Sequence, residues 1–329
     1  MSQMLKKLQR RLDGNTLFLI NLRQRDPNLV YLTGLSGAYG GCALMATASR
    51  TVFLVNEMEF GHAKSELAIP VKQVKDVFEY LKKNREGNIL ANEKFVPHST
   101  YLKLRKAGPV KDCSDQLFKM RMVKENEEIE KIHAAKKIAL SAYNKLNLRM
   151  PEAEIARDFA YLISDRAEPA FETISAADSN STKPHYTTGR KKAKRLLLFD
   201  FGAKYQNYCS DLTRMKFFKK TPAMKKVEEA VLSARDAAID AAKPGATAGD
   251  VAKAANSGIR KAGFGKYILH SIGHGIGVEV HEEPFFGEKS KTILEPGMAF
   301  TIEPGIYTKT FGVRIEDDYV LTKNGCGLI

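Results

Sequence analysis

The chain has 329 residues, 43% of them hydrophobic, and its 52 Lys and Arg outnumber 38 Asp and Glu to give a formal charge of +14 at pH 7. That length exceeds one ordinary core, so two domains are expected; no run of about 18 apolar residues occurs and none follows the charged start MSQMLKKLQRRLDG, so neither a membrane span nor an export signal is expected. The four cysteines (Cys42, Cys113, Cys209, Cys326) form no Cys-x-x-Cys pair, which argues against a thiolate zinc site and a disulfide framework and fits a reducing cytoplasm.

In chain order, the apolar runs TLFLI (16–20) and TVFLV (51–55) alternate with turn-rich and helical segments and predict a small α/β domain. The glycine-rich YLTGLSGAYGGCALM (31–45) lacks both GxxxxGK[ST] and GxGxxG, so no phosphate cradle is expected there. From residue 123 the pattern changes: Ile129, Ile132, Ala135, Ala139 and Ala142 recur at spacings of three and four, as one face of an amphipathic helix requires. A boundary near residue 118 follows, giving domains 1–118 and 119–329. Helices are predicted at 152–167, 222–242 and 247–263, the last with Thr247 as N-cap and Gly263 and Gly265 beyond its end. Strands are predicted at 195–203, 208–218, 298–307 and 312–321. His62, His98 and His133 read as surface or partly packed residues. The basic runs GRKKAKR (189–195) and FFKKTPAMKK (217–226) read as solvated turns beside apolar strands, because no aromatic-interleaved basic motif accompanies them; nucleic acid is not an expected partner.

Acidic residues inside apolar strands need an explanation, since an unpaired buried carboxylate costs several kcal/mol or takes up a proton. A hairpin turning at Tyr205-Gln206 sets Asp200 directly opposite Asp211, with Cβ atoms about 4.5–5.5 Å apart. A second turning at Lys309-Thr310 sets Glu303 opposite Glu316. Like charges so placed are destabilising unless something positive sits between them. Two divalent cations balance four carboxylates; the alternative is that Arg214 and Arg314 neutralise two of the acids. Oxygen-rich ligation with one imidazole suits Mn²⁺, Co²⁺, Fe²⁺ or Zn²⁺. In HSIGHGIGVEVHEEP (270–284), His274 lies between Gly273 and Gly275, where small neighbours let the backbone bend and present an imidazole; glycines and a seven-residue gap to His281 rule out an HExxH helix.

The segments DFGAKYQNYCSDLTR (200–214), HSIGHGIGVEVHEEP (270–284), TIEPGIY (301–307) and GVRIED (312–317) resemble, in order and spacing, the motifs of the pita-bread metallopeptidases. This group contains methionine aminopeptidase, Xaa-Pro aminopeptidase, Xaa-Pro dipeptidase (prolidase) and the metal-free creatinase. DPNLVYLTGLSG (26–37) resembles the creatinase-type N-terminal domain, so the likeness covers nearly the whole chain and points to the proline-specific branch. It implies an α+β fold, with a smaller α/β N-terminal domain ahead of a pita-bread catalytic domain. It implies a binuclear site in which Asp200 holds one ion, Asp211 and Glu316 bridge both, and His274 and Glu303 complete the other. Mn²⁺ or Co²⁺ is the expected pair, with Zn²⁺ or Fe²⁺ as alternatives. By the same resemblance a hydroxide bridging the ions attacks the scissile carbonyl while Glu303 shuttles its proton, and His185, His281 and Arg314 contact the substrate or leaving group. His270 is expected to be a supporting or core histidine. Lys183 and the stretch SNSTK replace small apolar residues of the commonest pattern. The expected activity is hydrolysis of the bond before proline in Xaa-Pro dipeptides, by a cytoplasmic homodimer. The alternatives are an Xaa-Pro aminopeptidase acting on longer peptides and a binding protein that uses the basic surface.

Overall fold

The computed structural model describes residues 3–22, 26–37 and 40–329; Ala38 and Tyr39 of the glycine-rich stretch lie outside the described residues. The chain divides into two compact units, Met1–Arg121 and Met122–Ile329. No helix among the described residues is long and apolar enough to cross a membrane.

The first unit is built on a six-stranded mixed sheet in the order Val71–Gln73, Thr51–Val55, Cys42–Ala46, Thr16–Asn21, Ile89–Ala91, Val110–Asp112. The three central strands are antiparallel, with Leu19 opposite Leu44 and Leu44 opposite Phe53, and the outer pairs are parallel. Every residue of those central strands is buried, which is why TLFLI and TVFLV read as continuous apolar runs rather than as alternation. Asp26 caps the Pro27–Thr33 helix through Asn28 N–H, proline opens its first turn, and Gly34 closes it at φ 75°.

In the second unit the amphipathic segment forms the Asn126–Tyr143 helix, with Ile132, Ala135, Ala139 and Ala142 buried and a Glu125/Glu128 capping box at its start. The other helices are Glu152–Ile163, Pro222–Ala241 and Ala248–Lys261, the last capped by Thr247 and Asp250 as its sequence predicts. Phe159, Tyr143, Phe199 and Phe201 stack at centroid separations of 5.0–6.0 Å, fastening two helices to the strand that carries Asp200. On the other side, Val227, Val231, Val251 and Ile259 of the last two helices pack against Phe300, Ile302, Ile306 and Val313.

All four predicted strands are present, but each carries a break. Leu196–Phe201 is followed by Ala203–Tyr205 after Gly202, and Tyr208–Cys209 by Leu212–Phe217 after Ser210-Asp211. Ala299–Ile302 gives way to Gly305–Tyr307 across Glu303-Pro304, and Gly312–Arg314 to Asp317–Thr322 across Ile315-Glu316. Three of the four acids therefore sit where the chain leaves one sheet for another.

The first hairpin differs in register from expectation. Its turn is Gln206-Asn207, both left-handed at φ 46° and 71°, so Tyr205 pairs with Tyr208 and Asp200 with Thr213. Asp211 is two residues beyond that partner, on the same face as Asp200 but diagonal to it. The second hairpin has the expected register. Ile302 opposes Asp317 and Gly305 opposes Arg314, so Glu303 and Glu316 fall opposite each other in the gap between the two ladders.

Candidate metal centre

A bridge between Thr213 and Glu316 joins the hairpins, with Glu316 N–H donating to Thr213 O at 3.3 Å. Thr213 thus stands between Asp200, its partner within one hairpin, and Glu316 of the other. Its hydroxyl donates to Glu316 Oε2 at 2.6 Å and accepts from Arg314 Nε at 2.9 Å. The short strand His274–Gly275 pairs with Ala299–Ile302, and Thr301 Oγ1 accepts His274 N–H at 3.2 Å, which brings the imidazole beside Glu303. Neither glycine flanking His274 has a left-handed φ; their use is close approach. A Cβ at Gly273 would lie 2.1 Å from Thr301 O, and one at Gly275 2.2 Å from Glu283 O.

These elements bring all five expected ligands together. Donor atoms of Asp200, Asp211 and Glu316 lie within 4.8 Å of one another, as do those of His274, Glu303 and Glu316. His274 Nε2 stands 3.6 Å from both Asp211 Oδ2 and Glu303 Oε1, beyond hydrogen-bond length. Two ligands of one first-row ion, each at about 2.1 Å from it, keep about 3–3.5 Å between them. Gly275 O lies 3.1 Å from His274 Nδ1, which places the proton there and leaves the Nε2 lone pair facing the acids. Burial pushes the imidazole pKa down to about 3, so the ring is neutral, as a ligand must be.

The acids are under electrostatic load. Burial, then the charges of Glu316, Asp200 and Glu303, raise Asp211 well above the usual carboxylate range. Burial and the charge of Glu303 do the same to Glu316. Burial pushes Glu303 up to about 8 against the pull of Arg314. The cation bonded to this group, among the described residues, is Arg314, which is 3% exposed and donates to Asp200 Oδ2, Thr213 Oγ1, Tyr307 OH and, at 3.4 Å, Pro184 O. One guanidinium against four carboxylates leaves a large negative excess whenever the acids are ionised, which adds to burial in raising them, and buried Asp200 Oδ1 has no hydrogen-bond partner. Arg214, the other arginine weighed from the sequence, instead binds Asp317 and Glu316 O. An orphaned carboxylate oxygen, uncompensated charge and ligand spacing wider than hydrogen bonds together fit divalent cations.

The remaining sequence-predicted residues border the same cavity, of about 270 Å³, whose wall includes His185, His281 and Arg314 together with Phe171, Ile174 and Val280. His185 and His281 are exposed; the His281 ring packs edge-on to His274 with centroids 4.2 Å apart. His270 also borders the cavity, with Nδ1 3.7 Å from Glu303 Oε2 and Nε2 2.8 Å from Tyr307 OH. Three supporting residues escape sequence reasoning. Thr213 and Tyr307 orient Arg314 and Glu316, while both oxygens of buried Asp318 accept Asp211 N–H at 3.2 Å. Thr213 is recoverable as the register partner of Asp200; Tyr307 and Asp318 carry no spacing signal.

The fold and this site define a metal-dependent peptidase. Residues 127–323 match metallopeptidase family M24 and residues 4–123 the creatinase/prolidase N-terminal domain. The chain is 36% identical to the Xaa-Pro dipeptidase of Pyrococcus horikoshii over 99% of its own length and 96% of that protein, and 33% identical to that of Pyrococcus furiosus over 99% and 97%. Its structure is similar to the X-Pro aminopeptidase of Thermotoga maritima, with a TM-score of 0.90 at 31% identity over 98% and 97% of the two chains. It is similar to the Pyrococcus horikoshii prolidase as well, at 0.89, with 33% identity over 99% and 96%. The chain belongs to metallopeptidase family M24 and has the expected α+β fold, a creatinase-type N-terminal domain ahead of a pita-bread domain.

Proposed function

We propose that this peptidase is a prolidase, hydrolysing the bond before proline in Xaa-Pro dipeptides. The observation that carries the reading is the pocket itself: four carboxylates and one neutral imidazole converge on a cavity of about 270 Å³, a little below the usual range of ligand pockets and suited to a small substrate. The Xaa-Pro dipeptidases to which the chain is similar over nearly its full length support the same substrate.

Asp200, Asp211, His274, Glu303 and Glu316 would hold two divalent ions, Mn²⁺ or Co²⁺ by the resemblance. When bound, such ions polarise a carbonyl and make water nucleophilic at neutral pH. The bond before proline is a tertiary amide, so the leaving nitrogen carries no hydrogen and must receive a proton; Glu303, at the cavity edge of the cluster, takes it from the attacking water and delivers it there. His185 and His281 contact the substrate from the exposed side of the cavity. Phe171, Ile174 and Val280 form its apolar wall. Arg314 holds Asp200 and, through Pro184 O, the segment carrying His185. The free cysteines support a reducing cytoplasm.

The likeness to an X-Pro aminopeptidase favours a second reading, action on longer peptides. Rates on Leu-Pro, Leu-Pro-amide and Leu-Pro-Gly with Mn²⁺ or Co²⁺ test both. The prolidase reading expects Leu-Pro to be cleaved and the blocked substrates to lose activity; equal or faster cleavage of Leu-Pro-Gly overturns it. Asp211→Asn must abolish turnover in a folded protein.

A further inference from the structure

The segment from Asp178 to Lys191 carries His185; Asp178 accepts from Lys194, Arg195 and Leu196 N–H, Thr188 bonds to Thr173 and Ser175, and a second carboxylate, from outside the segment, ties its two halves together. Glu152, the first residue of the Glu152–Ile163 helix, is 0% exposed. Its Oε1 accepts from Ala177 N–H at 2.6 Å and Asn180 Nδ2 at 2.8 Å, at the start of the segment. Its Oε2 accepts from Tyr186 OH at 3.0 Å and Lys191 N–H at 3.3 Å, at the end of it. The helix start itself is capped by the same chain, because Pro151 offers no side-chain cap and Glu152 and Ala153 N–H donate instead to Lys191 O and Gly189 O. Gly189 leaves the room for this: a Cβ there would lie 2.6 Å from Tyr186 OH and 3.1 Å from Glu152 Oε2.

A buried carboxylate that accepts from Ala177 and Asn180 with one oxygen and from Tyr186 and Lys191 with the other ties the two halves of the segment together as a staple. From the other side, Ser181 Oγ accepts Gly312 N–H at 2.9 Å and Pro184 O accepts from Arg314, so the segment is held between Glu152 and the second hairpin. We propose that Glu152 is a positioning residue for substrate recognition, acting through the Asp178–Lys191 segment to fix His185 at the cavity wall. This rests on the prolidase reading and on the substrate contact assigned there to His185. Glutamine at this position preserves shape but turns an acceptor into an NH2 group that faces the Lys191 N–H, two donors toward each other. The segment then loosens while the metal ligands, carried by other strands, stay in place.

The test compares the parent with Glu152→Gln, His185→Ala and the double variant, with Tyr186→Phe as a milder change that removes one of the four bonds. Hydrogen exchange is expected to quicken in 178–191 in Glu152→Gln, with unchanged Mn²⁺ stoichiometry. KM for Leu-Pro is expected to rise about tenfold, the worth of a lost hydrogen bond to a charged group, with kcat within about twofold. The same substitution is expected to have little further effect in the His185→Ala background, a non-additivity that general loosening does not produce. Unchanged exchange in 178–191 overturns the proposal, as does an equal KM effect in both backgrounds. A parent inactive on Leu-Pro defeats the functional reading instead, and exchange alone then decides whether Glu152 holds the segment.

Discussion

Glu303→Gln in metal-free protein exposes the load carried by the site. Burial holds the Glu303 carboxyl near 8 against an ordinary value of 4.5. A carboxyl raised in the folded state makes its full contribution to stability below its unfolded pKa and loses it as pH climbs through the folded one. At about 1.4 kcal/mol per unit the whole contribution is roughly 5 kcal/mol, of which about 3 is lost between pH 5 and pH 8. For a unit of this size that corresponds to roughly 6–12 °C in transition temperature. Glutamine does not titrate and resembles the protonated acid. The variant is therefore expected to exceed the parent by about 1 kcal/mol at pH 5 and by about 4 kcal/mol at pH 8 once metal is chelated. Scanning calorimetry reads this in the transition that responds to added Mn²⁺, and Mn²⁺ is expected to reverse the order at pH 8. Parent and variant curves that run parallel from pH 5 to pH 8 would refute the crowding of charge inferred for this cluster.

Thr213→Val removes the hydroxyl between Glu316 and Arg314, and Mn²⁺ affinity measured by calorimetric titration is expected to fall about tenfold with little change in fold. Arg314→Met strips Asp200 of its buried partner and is expected to destabilise the metal-free protein by roughly 3 kcal/mol in thermal unfolding, with excess Mn²⁺ recovering most of it. Phe159→Ala opens the aromatic cluster behind the Asp200 strand, and a loss of about 3–5 kcal/mol is expected in denaturant unfolding, with Mn²⁺ stoichiometry unchanged. Mn²⁺ affinity is also expected to rise from pH 6 to pH 8, because the raised carboxyls must shed protons to bind.

The four clustered acids are legible because charge inside apolar strands is costly and therefore informative, and His274 because small glycines flank it. The register of the second hairpin follows from its turn at Lys309-Thr310, which the sequence and the structure place alike. In the first hairpin the signal was Asn207, a residue that tolerates left-handed backbone, and placing the turn one residue early shifted Asp211 from diagonal to opposite. Hydrophobic periodicity did not reveal the breaks at Gly202, Ser210-Asp211, Glu303-Pro304 and Ile315-Glu316, since the apolar runs continue through them on either side. Thr213 and Tyr307 look like ordinary strand residues until a partner is known. Glu152 looks like a helix-start acid, and only the folded chain brings Tyr186 and Lys191 to it.

The count of metal ions per chain tests the account most directly. Chelated protein dialysed against Mn²⁺ and analysed by elemental analysis is expected to hold two ions, and the Asp211→Asn and His274→Ala variants fewer than two. A parent that binds no ion, or variants that bind as many as the parent, would contradict a centre built from these acids and this histidine.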